Sequence, residues 1–224
     1  MKLRLLMCAL ALGLALAACG NQGTAPTEIA APAKSSSDLP PYEPMEPRRV
    51  RAAGAYVHHW SGMTLPAMIG QLKRTAVMQF DSAALDVSGD YQMVSTEGRA
   101  LATVYVYPTT APLPVPPRSI DDGCRAEFDG MKQIMTQRFP SAELVNEWRE
   151  DVPRLSGAAA GYAAAYDFTG NLLGPTEALR TEAYLFCGIG GLWNVKYRVS
   201  YSRDLTGPSI AKDVIAAAPT GVPQ

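Results

Sequence analysis

The chain has 224 residues, with 20 Lys and Arg against 21 Asp and Glu, so its formal net charge of −1 leaves no electrostatic footprint for nucleic acid or other polyanions. That length suits one domain with a sizeable core once a tether is subtracted, and no internal repeat is visible.

At the N-terminus, Lys2 and Arg4 precede an apolar and small-residue run over 5–18, the order of a secretory signal. A transmembrane helix needs about 20 apolar residues, and this run stops at Cys19 before Gly20, Asn21, Gln22 and Gly23. The junction Leu16-Ala17-Ala18-Cys19 resembles the lipobox of bacterial lipoproteins in all four positions. The resemblance implies removal of 1–18, with Cys8, and a thioether-linked lipid on Cys19, since a thiolate is the nucleophile such chemistry needs. Several acyl chains together hold a protein to a membrane effectively permanently. In that family Asp after the lipidated cysteine favours inner-membrane retention; Gly20 stands here, which implies the outer membrane, facing the periplasm. Loss of Lys2 and Arg4 leaves 18 basic against 21 acidic side chains, a mature charge of −3.

Residues 19–54 are rich in Ala, Pro, Ser and Thr, with Pro26, Pro32, Pro40, Pro41, Pro44 and Pro47 spaced through them. This composition predicts a disordered, semi-rigid spacer, and Arg48, Arg49 and Arg51 at its end read as solvated charge. One domain is expected over 55–218, with a flexible tail over 219–224. Thr64 before Leu65-Pro66 looks like an N-cap opening a helical turn that Gly70 ends. Strands are predicted over 73–80, 86–95 and 100–107, the last two joined by a tight turn at 96–99. After a Pro-rich loop, Ser119-Ile120-Asp121-Asp122 opens a long helix with Ile120, Cys124, Phe128, Met131, Met135 and Phe139 at helical spacing, stopped by Pro140. Further strands are predicted over 144–152, 161–168, 179–187 and 193–201, and Pro208 opens a terminal helix with Ile210, Val214 and Ile215 on its buried stripe.

These elements predict an α+β domain: an antiparallel sheet of about six or seven strands between the long helix and the terminal one, an α/β/α sandwich. Its element order over 56–217 resembles the PsbP-like superfamily, which implies that fold and no functional residue.

Export places Cys124 and Cys187, the remaining thiols of the domain, where disulfides persist. Cys124 lies on the buried helix face and Cys187 on a strand face with Ala183 and Leu185, so a bridge closing about 60 residues is expected, contributing about 4 kcal/mol. His58 and His59, as neighbours on a strand, point to opposite faces and do not form a zinc site with the cysteines; they are expected at the lip of the domain. No Gly-x-Ser-x-Gly or Cys-x-x-Cys spacing occurs. Gly188-Ile189-Gly190-Gly191 precedes a strand, so it reads as a hairpin turn, not a phosphate loop. Asp121, Asp122, Glu147, Glu150 and Asp151 read as caps and solvated carboxylates.

The most suggestive pattern is aromatic. Tyr105 and Tyr107 share one face of their strand, Tyr162, Tyr166 and Phe168 one face of theirs, and Trp193, Tyr197 and Tyr201 one face of the last, with small Ala163, Ala165 and Ala183 opposite. Tyr105, Tyr107, Tyr162, Tyr166 and Tyr197 are the candidate lining of a groove for an apolar or peptide-like envelope ligand; the competing expectation is a packed layer under the terminal helix. The expected function is a non-enzymatic, cofactor-free binding or accessory domain, lipid-anchored in the envelope, whose partners are the membrane and another envelope protein or apolar ligand. The alternatives are a periplasmic hydrolase with a site near Asp121, His58 or Glu147, and a partnerless fold kept for envelope stress or assembly.

Overall fold

A computed structural model of the chain describes residues 38–109, 119–151, 155, 160–205 and 209–221. In chain order these form β1 (Pro44–Val50), β2 (Tyr56–Val57), β3 (Thr64–Leu65), β4 (Met68–Ile69), β5 (Leu72–Asp81), β6 (Val87–Val94), β7 (Arg99–Pro108), α1 (Ile120–Arg138), β8 (Glu143–Arg149), β9 (Ala160–Asn171), β10 (Thr176–Ile189), β11 (Trp193–Ser202) and α2 (Ile210–Ala217).

The α+β sandwich expected from the sequence is not what forms. The described residues are mostly β, with a nine-stranded antiparallel sheet in the order β1-β5-β6-β7-β11-β10-β9-β8, β4 pairing with β5 beside it, and only two helices, of 19 and 8 residues. Two stretches that composition disguised account for much of the difference. Pro44 and Pro47 made β1 look like tether, yet β1 is an edge strand, where proline's missing donor is tolerated, and Pro47 falls in the irregular register between Pro44 and Arg48. Its exposed Pro and Arg side chains also discourage edge-to-edge pairing. Thr64 is no N-cap: its N–H donates to Thr220 O at 2.7 Å, and the Thr220 N–H donates back to Thr64 O at 2.9 Å. The segment before Gly70 is therefore extended, and residues just before the C-terminus lie against it. In addition, β9 and β10 run to 12 and 14 residues, longer than their apolar cores announced.

The helix predicted to open at Ser119 and stop at Pro140 is present as α1. Ser119 caps it by accepting from the Asp122 N–H at 3.0 Å, Asp121 and Asp122 complement the dipole in its first turn, and Pro140 prevents its continuation. Cys124, Phe128 and Met135 face the sheet, where they pack with Tyr162, Ala164, Tyr166, Leu185 and Cys187. The disulfide Cys124–Cys187 forms, with Cα atoms 5.9 Å apart.

The sheet's two faces are covered unequally. On one, Val87, Tyr91, Val104, Val106, Phe186, Val195 and Tyr197 form the main core beneath Met63, Leu65 and Ile69 from the β2–β4 region and Ala211, Val214 and Ile215 of α2. On the other, α1 packs chiefly over β9 and β10, with Glu127 reaching Tyr107 of β7 and Asn194 of β11 at its flank. Beyond Tyr107 and Asn194, which α1 touches through Glu127, the part of that face formed by β5, β6, β7 and β11 carries no helix among the described residues, and Met78, Phe80, Tyr105 and Lys196 on it are only half-buried.

Strand β9 passes so close to the chain leaving β8 that position 161 admits no side chain. A Cβ on Gly161 would lie 2.1 Å from Glu150 O and 3.0 Å from the Phe186 ring. Gly161→Ala is expected to cost about 2 kcal/mol through forced backbone shifts. Gly130→Ala is its control: inside α1, where an added Cβ meets nothing within 4 Å, it should stabilise by up to about 1 kcal/mol. Urea midpoints of the two variants, moving in opposite directions, check both.

Candidate functional site

Cross-strand register assembles a site on the open half of the sheet. Lys196 of β11 pairs with Tyr105 of β7, Tyr105 with Ser88 of β6, and Ser88 with Met78 of β5, so these four side chains form one transverse row on the α1-facing side. One position along, Asn194 pairs with Tyr107. At the row's end β5 adds Phe80, and the turn between β5 and β6 adds Asp86. Together Phe80, Asp86, Tyr105, Tyr107 and Lys196 line a recess of about 270 Å³.

The turn that supplies Asp86 is held by Asp81, a fully buried carboxylate that accepts from the Ala83 N–H at 3.0 Å and the Asp86 N–H at 2.8 Å. Between them Ala84 takes a left-handed backbone, φ 58°. Asp86 itself accepts a hydrogen bond from the Tyr42 hydroxyl at 3.4 Å. Burial pushes the Asp86 carboxyl up to about 6, with Lys196 pulling the other way.

Lys196 is the unusual group. Its ammonium sits 4.5 Å from the Tyr105 ring centroid and 5.2 Å from that of Tyr107, a cation–π position over both. Among the described residues it has no hydrogen-bond acceptor and no carboxylate within salt-bridge distance. The neighbouring Glu127 of α1 is already engaged, accepting from the Tyr107 hydroxyl on one oxygen and from Asn194 Nδ2 at 3.1 Å on the other. Burial accordingly lowers the Lys196 ammonium below its ordinary range, against the pull of Glu127 and Asp86. The Tyr107 phenol is raised well above its own range by burial and the adjacent Glu127.

The five tyrosines expected to line one groove divide three ways. Tyr105 and Tyr107 stand at the recess. Tyr162 and Tyr166 are buried beneath α1, Tyr162 stacking on Phe128 at 5.4 Å between ring centroids. Tyr197 lies on the opposite face, because its register partner is Val104, and its hydroxyl donates to Ala218 O at 2.8 Å. That ring does pack beneath α2, as the competing expectation held.

The other candidates are placed as follows. Cys19 lies outside the described residues. His58 is not at the lip: it is fully buried, with Nδ1 2.6 Å from Ser61 Oγ, Nε2 2.9 Å from Ala84 O, and its ring edge-on to Trp193. Burial lowers it to about 4. His59 is exposed beside Trp60. Asp121 accepts from the Tyr162 hydroxyl at 2.9 Å and from Arg149 at 3.1 Å, which hold its carboxyl below the usual range. Glu147 pairs with Arg125 at 3.0 Å and Lys132 at 2.7 Å. These carboxylates tie α1 to β8 and β9. Gly188, Gly190 and Gly191 all have positive φ and close the β10–β11 turn through Gly191 N–H to Gly188 O at 2.8 Å.

Lys196, Asp86, Phe80 and Glu127 are not recognisable as site residues from sequence alone. For Lys196 a signal existed: Val195, Tyr197 and Val199 alternate with Asn194, Lys196 and Arg198, so β11 announces a polar second face. Among the described residues no group of three or more His, Cys, Asp or Glu side chains is placed to hold a metal ion. Comparisons with family models, with curated proteins and with solved structures found no match.

Proposed function

We propose that the chain is a lipid-anchored envelope protein, attached through Cys19, whose domain binds a small envelope ligand without transforming it. The observation that carries the binding reading is the recess at Lys196: a cation with no hydrogen-bond acceptor among the described residues, walled by aromatic rings, at the flank of α1 on the part of the sheet that no helix covers among those residues. Ligand sites are concave and mostly apolar with a few convergent polar groups, and Phe80, Tyr105, Tyr107, Asp86 and Lys196 fit that description. The Cys124–Cys187 disulfide accords with residence in an oxidising compartment, and the lipobox-like Leu16-Ala17-Ala18-Cys19 supplies the anchor and the address.

The test is made on the full chain expressed in a Gram-negative host. Processing at Cys19 predicts a membrane-fraction protein whose N-terminal peptide begins at lipid-modified Cys19, and a Cys19→Ser chain that is no longer lipid-modified. Titration of the purified protein with 2-naphthamide, a neutral aromatic probe, should saturate, and Tyr105→Ala should weaken it about tenfold through lost stacking surface. An unmodified N-terminus would remove the anchor. Binding indifferent to Tyr105 would remove the recess.

A further inference from the structure

Resting on that reading of the recess as a binding site, we infer that its ligand is a small organic anion with a planar apolar body, the anionic group seated on Lys196 Nζ and the body against Tyr105 and Phe80.

Three features of the recess converge on this chemistry. The first is the unspent donor capacity of Lys196. A lysine ammonium has three N–H donors, and here they meet two ring faces and no acceptor among the described residues. Holding a charge half out of water without a directly bonded acceptor costs stability, and a ligand that supplies that acceptor recovers it. The second is the state of the neighbouring carboxylates. Both Glu127 oxygens accept, from Tyr107 and Asn194, so Glu127 fixes the back wall and acts on Lys196 through space without a direct ion pair. Asp86 lines the recess beyond salt-bridge reach of the ammonium. The third is the shape and composition of the walls. Two tyrosine rings and Phe80, with Phe80 and Tyr105 centroids 6.1 Å apart, offer flat apolar surface, and about 270 Å³ holds a one- or two-ring molecule. Inorganic phosphate would satisfy the lysine and leave these walls wet; a neutral hydrocarbon would cover the walls and leave the lysine unpaired.

The other charges facing Lys196 set the sign of two variant effects. Arg198, on the same strand and the same face, adds positive potential, whereas Asp86 and Glu127 subtract it. Neutralising Asp86 should therefore strengthen anion binding, and removing the lysine charge should abolish the preference for an anion while leaving the aromatic walls.

Isothermal titration calorimetry on the full processed chain in a nonionic detergent, blanked against detergent alone, tests this with three probes: 2-naphthoate, its neutral isostere 2-naphthamide, and inorganic phosphate. The wild type should bind naphthoate at least tenfold more tightly than naphthamide and show no comparable affinity for phosphate. Lys196→Met should lower naphthoate affinity about tenfold to a hundredfold, the range of one charge-assisted hydrogen bond, and leave naphthamide within about threefold. Asp86→Asn should raise naphthoate affinity severalfold. Equal affinity for naphthoate and naphthamide overturns the anion assignment while leaving the recess a binding site. Phosphate binding as tight as naphthoate overturns the role of the aromatic walls. A naphthoate preference that survives Lys196→Met places the anion elsewhere, and no binding of any probe contradicts both this inference and the recess itself.

Discussion

Reduction of the Cys124–Cys187 bridge, or replacement of both cysteines by serine, is expected to lower the unfolding free energy by about 4 kcal/mol. The bridged residues are 63 apart in sequence, and in the chain-entropy model a cross-link of that span removes about 4 kcal/mol worth of freedom from the denatured state. Most of the effect should therefore lie in the unfolded chain. Native α1 keeps other holds on the sheet: Phe128 stacks on Tyr162, Met135 is buried, and Arg125 and Lys132 pair with Glu147. The reduced protein should accordingly retain its fold, unfold at lower urea, and show a steeper dependence on urea because its denatured state expands. Urea titrations with and without reductant, followed by circular dichroism, measure both quantities. Coincident curves would mean that the bridge does not constrain the denatured chain.

The second large effect is an opposition between buried His58 and half-buried Asp86 as the pH falls. His58 is fully buried and held to about 4, whereas an unfolded histidine titrates near 6.5. Its neutral form is the one the core accepts, so its contribution is fully present above pH 6.5. That contribution is lost progressively between pH 6.5 and 4, by about 3 kcal/mol in all. Asp86 has the reverse sign. Its folded carboxyl is raised to about 6 from 3.8, so its ionisation destabilises the fold at neutral pH, and stability is regained as the pH falls from 6 toward 4. In the wild type the two terms offset over that window. Asp86→Asn should separate them: the variant should be about 3 kcal/mol more stable than wild type at pH 7.5, about equal to it at pH 4, and far more acid-sensitive in between. Urea midpoints across pH 4 to 8 for both proteins check this; parallel curves would show that Asp86 carries no such cost. A carboxylate that destabilises the fold at neutral pH is consistent with a recess shaped for binding at some expense of stability.

What the sequence disclosed divides along physical lines. Period-two alternation and 3.6-residue spacing are local, so the strands from 72 onward and α1 were legible, and the disulfide followed because Cys124 and Cys187 each sat on a predictable inner face. Faces relative to one another were not legible, because they depend on cross-strand register. Tyr105 and Tyr197 look equivalent along their strands, yet Tyr105 pairs with Lys196 and Tyr197 with Val104, which sends them to opposite sides of the sheet. Composition misled at β1, where Pro and Arg describe a sheet edge as well as a tether, and at His58, whose polar dipeptide gives no hint that Trp193 and Ala84 will enclose it. The recess was the least legible feature. Its residues come from a turn, a helix flank and three strands, and only the unequal covering of the sheet by α1 leaves them open.

The central claim, that the Lys196 recess holds a ligand in the cell envelope, is tested most directly by lysine-resolved amine labelling. Membranes carrying the full chain and the same protein purified from them would be labelled with trinitrobenzenesulfonate, and Lys73, Lys132, Lys196 and Lys212 quantified by peptide mass spectrometry. Of these four, Lys196 alone should be protected in membranes, by severalfold, and regain its reactivity on purification. Equal labelling of Lys196 in both preparations, with the other lysines unchanged, would contradict it.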